Sequence, residues 1–177
     1  GFFAIAPFVY NGQRMKVARS GWSKQTGFEV FMNNAEIGTQ LWDELFAKGQ
    51  DLDVRAGCPN LIERIESGLM SFGSDMDHST TPFDIGLERY INLDAKINSL
   101  SLPALRNHTS TQKLMGLVLE YHRSLSDLDV FVGDQKVGCI RSQTYSPKDM
   151  RRVAFVMCDL AALNGASTVE VNTDQGK

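Results

Sequence analysis

The chain has 177 residues, 42% of them hydrophobic and 22% charged, and a net charge of −3 at pH 7. That length leaves room for one good-sized domain or two small ones with real cores, and the net charge gives no reason to expect nucleic acid, whose electrostatic footprint is a basic patch. Three cysteines, Cys58, Cys139 and Cys158, are few, odd in number and without metal-ligand spacing, which points to reduced cytosolic thiols rather than a disulfide frame.

The opening Gly-Phe-Phe-Ala-Ile-Ala-Pro-Phe-Val-Tyr is apolar but has no basic leader, no small-residue cleavage site and no initiator Met. It is far shorter than the ~20 apolar residues of a membrane span and reads as the middle of a buried strand. Gln13 to Ser20 reads as a strand, and Phe28 to Met32 as its partner or neighbour. Between them, Arg19-Ser-Gly-Trp-Ser-Lys-Gln-Thr-Gly-Phe-Glu29 forms a glycine-bracketed loop carrying an aromatic. Gly21 and Gly27 allow a tight turn or a close approach to a ligand. Trp22 offers a flat face, and Glu29 is a lone acid in Phe28-Glu29-Val30-Phe31-Met32. A flat face and a carboxylate suit a planar, donor-rich heterocycle. A hairpin with an outward-facing glutamate explains the same residues.

Gly38-Thr39 then opens an amphipathic helix in which Leu41, Trp42, Leu45 and Phe46 recur at helical spacing and Gly49 is the stop. That spacing makes Trp42 a core residue. Cys58-Pro59-Asn60 precedes a short helix, Leu61 to Gly68, with Leu61, Ile62 and Ile65 on one side and Arg64 able to pair with Glu63 or Glu66. Residues 71–82, rich in Ser, Gly, Asp and Thr, read as a loop. Its Asp75, Asp77 and His78 lack zinc-motif spacing. An amphipathic piece, Phe83 to Leu93, follows, and the polar stretch Ala95 to Thr111 is the linker candidate. His108 and His122 have no evident partners. Short strands then recur at Lys113–Tyr121, Leu128–Val132, Lys136–Ile140, Val153–Met157 and Thr168–Asn172, with Gly133-Asp134-Gln135 as a hairpin turn. Such regular strands suggest a small barrel or sandwich. Arg141, Lys148, Arg151 and Arg152 around Tyr145-Ser146-Pro147 make a modest basic patch, ordinarily a solvated face.

The Arg19-Ser-Gly-Trp string, Gly27-Phe-Glu29 and the later Arg64-Ile-Glu-Ser-Gly-Leu69 together resemble the folate-binding aminomethyltransferase family, the glycine-cleavage T-protein and its relatives. Gly21-Trp-Ser-Lys-Gln25 and Pro59-Asn60 are closer to the family's tetrahydrofolate-dependent dimethylsulfoniopropionate demethylases. The likeness runs from about Lys16 to Leu93, and more faintly through Val137-Gly-Cys-Ile140 and Tyr145-Ser-Pro147 to the end. It implies an α+β architecture: a partial aminomethyltransferase folate-binding domain over residues 1–98, then a small C-terminal β-barrel over 99–177 with its last strand missing. Family members carry a further segment ahead of the position of Gly1, so the chain is expected to be a C-terminal fragment, inactive alone.

The resemblance assigns Glu29 to the pterin of tetrahydrofolate, where a carboxylate accepts parallel N–H bonds from an aminopyrimidinone edge. Trp22 stands where T-protein has a tyrosine and would pack on the folate ring or face a sulfonium through cation–π attraction. Lys24 and Gln25 replace an acidic pair, which argues against an aminomethyl-lipoyl substrate. Asn60 stands where T-protein has a second folate-binding arginine, four positions before Arg64, so Asn60 or Arg64 completes the folate clamp, or Arg64 pairs structurally with Glu66. The Gly73-to-Pro82 segment becomes a loop near the active site that needs no metal, and the basic patch could meet the glutamate tail of folate. The implied reaction moves a methyl group from a sulfonium carboxylate to tetrahydrofolate, with no nucleic acid, no membrane and a homodimer left open. The rivals are a true aminomethyltransferase, a folate-dependent O-demethylase and a non-catalytic folate-binding relative. That relative's Lys-Gly-Cys-Tyr-x-Gly-Gln-Glu signature is absent, Arg19-Ser-Gly-Trp-Ser-Lys-Gln standing instead.

Overall fold

A computed structural model of the chain describes residues 1–21, 26–57, 61–119 and 125–173. Packing divides the molecule into two compact units, Gly1–Ser67 and Gly68–Lys177.

The first unit is a three-stranded antiparallel sheet with two helices. β1 (Ile5–Tyr10) and β2 (Gln13–Ala18) are joined by Asn11-Gly12, whose φ angles of 46° and 74° supply the left-handed pair that a two-residue hairpin requires. β3 (Glu29–Phe31) pairs with β2 so that Glu29 faces Ala18. The opening strand is not buried: Phe2, Phe3, Ile5 and Val9 are exposed. β1 is the edge of a narrow sheet, and three strands offer too little surface to cover it.

Helix α1 (Ala35–Lys48) begins three residues before the expected start. The carboxamide of Asn34 accepts the Glu36 N–H at 2.8 Å, a cap that Gly38 has no side chain to make. It ends at Gly49, as the sequence predicts. Only Ile37 and Leu41 on it are buried, and Trp42 is 53% exposed, against its expected core position. The inward seam follows the i, i+4 pair 37–41, which leaves Trp42 on an adjacent arc, where it rests on Phe46 at 4.7 Å between ring centroids. Helix α2 (Leu61–Glu66) buries Arg64 and Ile65 and stops before Gly68, whose φ is 73°.

The second unit is built on one antiparallel sheet. Its strands β4 (Gln112–Leu119), β5 (Leu125–Val132), β6 (Gln135–Ser146), β7 (Arg151–Asp159) and β8 (Glu170–Thr173) lie in the order β4-β7-β6-β5-β8. The expected turn between β5 and β6 is present, with Gly133 at φ 60°. β6 runs well past Ile140, because a bulge between Ile140 and Ser142 re-registers it against β7. Val130, Val137, Ile140, Ala154, Val156, Cys158 and Leu163 of α4 (Leu160–Leu163) form its core.

Two stretches differ from expectation. Phe83 to Leu93 yields only a 3₁₀ turn at Glu88–Tyr90, since Gly86 sits at φ 74° and interrupts any longer helix. The linker candidate carries helix α3 (Leu102–Arg106), with Leu102 buried and Arg106 donating to the carbonyls of Leu93 at 2.7 Å and Ala95 at 3.2 Å. It is ordered structure of the second unit. No helix among the described residues is long and apolar enough to cross a membrane.

Candidate functional site

Glu29 opens β3 at the mouth of the glycine-bracketed loop. The strand end across from it is held to the segment leading into β1 by two bonds: Arg19 N–H donates to the Ala4 carbonyl at 2.8 Å, and the Arg19 carbonyl accepts the Phe3 N–H at 2.9 Å. Ser20, two residues beyond Ala18, returns to the face of Ala18 and Glu29, and its hydroxyl donates to Glu29 Oε2. A Cβ added to Gly27 would stand 3.7 Å from the Ser20 carbonyl, so the ends of the loop are close together. The Arg19 guanidinium lies 5.7 Å from the centre of the exposed Phe28 ring, and its Nε is buried without a hydrogen-bond partner. The outcome is an exposed carboxylate on a tied sheet edge, bonded to a hydroxyl on its own face, with an aromatic and a cation paired on the opposite face.

Of the other expected site residues, Arg64 is on α2 with 3% of its surface exposed, while Glu66 faces solvent. Trp22 and Asn60 lie outside the described residues, as do Lys24, Gln25, Cys58, Pro59 and His122. Glu29 and Arg64 are both placed in the first unit.

The second unit has its own polar centres. Asp75, fully buried, accepts the Ser71 N–H at 2.7 Å and the Ser142 hydroxyl of β6, so it clasps the loop to the sheet. Asp77 accepts from the Ser79 N–H at 2.8 Å and its hydroxyl at 2.6 Å, and His78 stands edge-on to Phe72. No metal-binding cluster occurs among the described residues.

His108, without evident partners in the sequence, has three. Its Nε2 is 3.2 Å from the Thr81 hydroxyl and 3.7 Å from Asp84 Oδ1, and its ring stacks on Phe83. Asp84, 2% exposed, accepts the Thr81 N–H at 2.7 Å and its hydroxyl at 2.9 Å. Burial pushes the Asp84 carboxyl up. The Thr81 hydrogen bonds, the nearby Ser110 hydroxyl and the imidazole outweigh it and hold the group below its ordinary value. In the basic patch, Arg152 donates to Gln143 at 3.1 Å, and the buried Ser146 caps the following turn through the Asp149 N–H at 3.1 Å. Cys139 and Cys158 are free thiols, and burial pushes the Cys158 thiol up.

Residues 1–95 match the family described as the GCVT N-terminal domain. The chain belongs to this GCVT family. It is similar to dimethylsulfoniopropionate demethylase DmdA from Ruegeria pomeroyi, at 37% identity over 99% of this chain and 49% of that protein. It is also similar to the aminomethyltransferases of a Synechococcus strain, at 31% identity over 98% of this chain and 49% of that protein, and of Pseudothermotoga lettingae, at 29% over 88% and 44%. The crystal structure of glycine cleavage system aminomethyltransferase T from Bartonella henselae superposes with a TM-score of 0.72, covering 92% of this chain and 46% of that one at 21% identity. This GCVT chain therefore has the α+β fold of the aminomethyltransferases, and it spans about half the length of the curated relatives it matches.

The residues that sequence reasoning passed over here are Ser20 and Arg19. Both stand in the quoted motif, and their signal was the strand alternation that returns Ser20 to the face of Glu29.

Proposed function

We propose that the whole protein transfers a methyl group from dimethylsulfoniopropionate to N5 of tetrahydrofolate, giving methylmercaptopropionate and 5-methyltetrahydrofolate. The observation that carries this reading is the Glu29 carboxylate, held on a tied strand end beside Ser20 and Phe28 within the Arg19-to-Glu29 motif. An exposed carboxylate with lone pairs to spare fits the N–H donors of an aminopyrimidinone. Trp22, Asn60 and Arg64 complete the folate site in this proposal. The likeness to the demethylase over nearly the whole chain supports a sulfonium substrate.

A sulfonium is an activated methyl donor, so the protein's task is placement. The C–S electron pair stays on sulfur as the methyl group reaches N5, and the N5 proton passes to solvent. Holding the partners in line contributes on the order of 7–11 kcal/mol through effective molarity. The division expected at residues 98/99 belongs to this reading; the family match ends near it at residue 95, while packing divides the chain after Ser67. A cytoplasmic location and a homodimer belong to the same proposal.

Calorimetric titration of the whole protein with tetrahydrofolate tests the site. Glu29→Gln should weaken binding by ~1.5–3 kcal/mol with the fold intact, and unchanged affinity rejects the assignment. Substrate assays decide the chemistry. Turnover of dimethylsulfoniopropionate without activity on aminomethyl-lipoate is expected, and the reverse pattern establishes an aminomethyltransferase instead, the activity named for several of the relatives. Trp22→Leu should raise the sulfonium KM more than the folate KM. Equal rises place Trp22 on the folate side.

A further inference from the structure

Ser20 is the one described hydroxyl bonded to the Glu29 carboxylate. It does not sit in the loop proper: the backbone of Arg19, immediately before it, is bonded to Ala4 and Phe3. The hydroxyl is therefore delivered from two residues past the end of β2, next to a backbone-bonded residue, while Glu29 is delivered from the neighbouring strand in register with Ala18. Two fixed backbones meeting through one hydrogen bond restrict rotation of a glutamate side chain that otherwise has three free torsions.

We propose that Ser20 is a positioning residue for the pterin site: its O–H fixes the rotamer of Glu29 by donating to Oε2, so that the carboxylate is presented to the ligand in one orientation. This rests on the reading of Glu29 as the group that accepts the pterin N–H donors. A carboxylate oxygen has two acceptor sites, so Oε2 keeps the Ser20 bond while the ligand binds. Affinity is gained because the rotamer freedom of Glu29 is already spent before binding. Arg19, on the opposite face of the strand against Phe28, does not share this role.

The test is calorimetric titration of the whole protein with tetrahydrofolate, on wild type, Ser20→Ala, Ser20→Thr, Glu29→Gln and the Ser20→Ala/Glu29→Gln double variant, with thermal unfolding to check folding. Ser20→Ala should raise Kd roughly three- to tenfold, the size of one ordinary net hydrogen bond, since this bond is exposed to water. Ser20→Thr, which keeps the hydroxyl, should stay within about twofold of wild type. Most telling is the double variant: on the Glu29→Gln background, removing the hydroxyl should cost little more, because Ser20 acts through the charge it orients. An equal Ser20→Ala loss on both backgrounds overturns the proposal in favour of a general structural role. A Glu29→Gln loss with an unchanged Ser20→Ala Kd also overturns it and leaves Glu29 as the ligand group. An unchanged Glu29→Gln Kd removes the pterin reading itself and the proposal with it. Should Ser20→Ala unfold, Ser20→Cys, nearly isosteric and a weak donor, provides the same comparison.

Discussion

The two units use their apolar residues in opposite ways. In Gly68–Lys177, seven buried residues from β5, β6, β7 and α4 form one continuous cluster, with Met115, Leu117, Leu125 and Val171 packed around it. In Gly1–Ser67 the buried apolar residues are Met15, Ala18, Ile37, Leu41 and Ile65, while Phe2, Phe3, Ile5, Val9, Phe28, Phe31, Trp42 and Leu45 are exposed. Both units have ordinary hydrophobic sequences, so composition does not explain the contrast. Sheet width does: five strands with a bulge and a covering helix enclose a core, and three strands present more apolar face than they can cover. The unit with the thinner core is the one that holds the candidate site.

The sharpest way to break this contrast is to cut matched side chains from both units. Ile140, essentially buried at the centre of the large cluster, should cost ~2–5 kcal/mol when changed to Ala, because the surrounding ladder cannot collapse onto the void. Leu41→Ala, at the edge of a thin core, should fall at or below the lower end of that range. Chemical denaturation of both variants checks this. Equal losses would mean that the first unit is as tightly packed as the second.

The same contrast explains what could be read in the residues. β4 and β7 were legible because each carries a long apolar run, and β8 because Val169 and Val171 alternate with polar residues. Strand ends were not, since β6 continues through polar Ser142, Gln143 and Thr144 on the strength of its pairing with β7. Glu29 was legible as a lone acid on a strand, though not its exposure, and Gly49 as a stop. Trp42 was misread because helical spacing defines an apolar stripe without saying which part of it a neighbour covers. The Asp84–His108–Thr81 cluster was illegible: its members come from two segments that only the folded loop brings together.

That cluster gives the second, smaller test, because it holds the 81–84 loop to the segment leading into β4 through side chains the core does not contain. Replacing Asp84 with Asn should cost ~1–3 kcal/mol, since a buried acceptor of the Thr81 N–H and hydroxyl is lost or weakened. The pH dependence separates charge from packing. The folded-state pKa of Asp84 lies below its ordinary value of 3.8, so its contribution is fully present above that value and is lost as the pH falls through the depressed one. Wild type should therefore lose stability on acidification below about pH 4, and Asp84→Asn should lose less over the same interval. Denaturation midpoints measured from pH 2 to 6 check it, and parallel curves would assign the acid sensitivity elsewhere.

The smallest effect comes from the first unit, where polar contacts at the surface tie the hairpin to α1. Tyr10 at the end of β1 donates its phenol proton to Glu44 at 2.7 Å, and Lys48 pairs with the same carboxylate at 2.6 Å. The hydrogen bond to Glu44, with burial and the negative charge adding to it, raises the Tyr10 pKa above 10.0. Stability from this contact is thus present below the ordinary phenol value and lost as the pH rises through the raised one. Glu44→Gln leaves an acceptor in place but removes the charge that opposes ionisation, so Tyr10 should titrate closer to its ordinary value. A tyrosinate absorbance titration, with Tyr10→Phe subtracted to isolate this one phenol, reads the shift directly. An unmoved titration would mean that Glu44 does not hold the Tyr10 proton, leaving the bond from Asn11 Nδ2 to Gln40 Oε1 at 3.2 Å as the side-chain tie between the hairpin and α1.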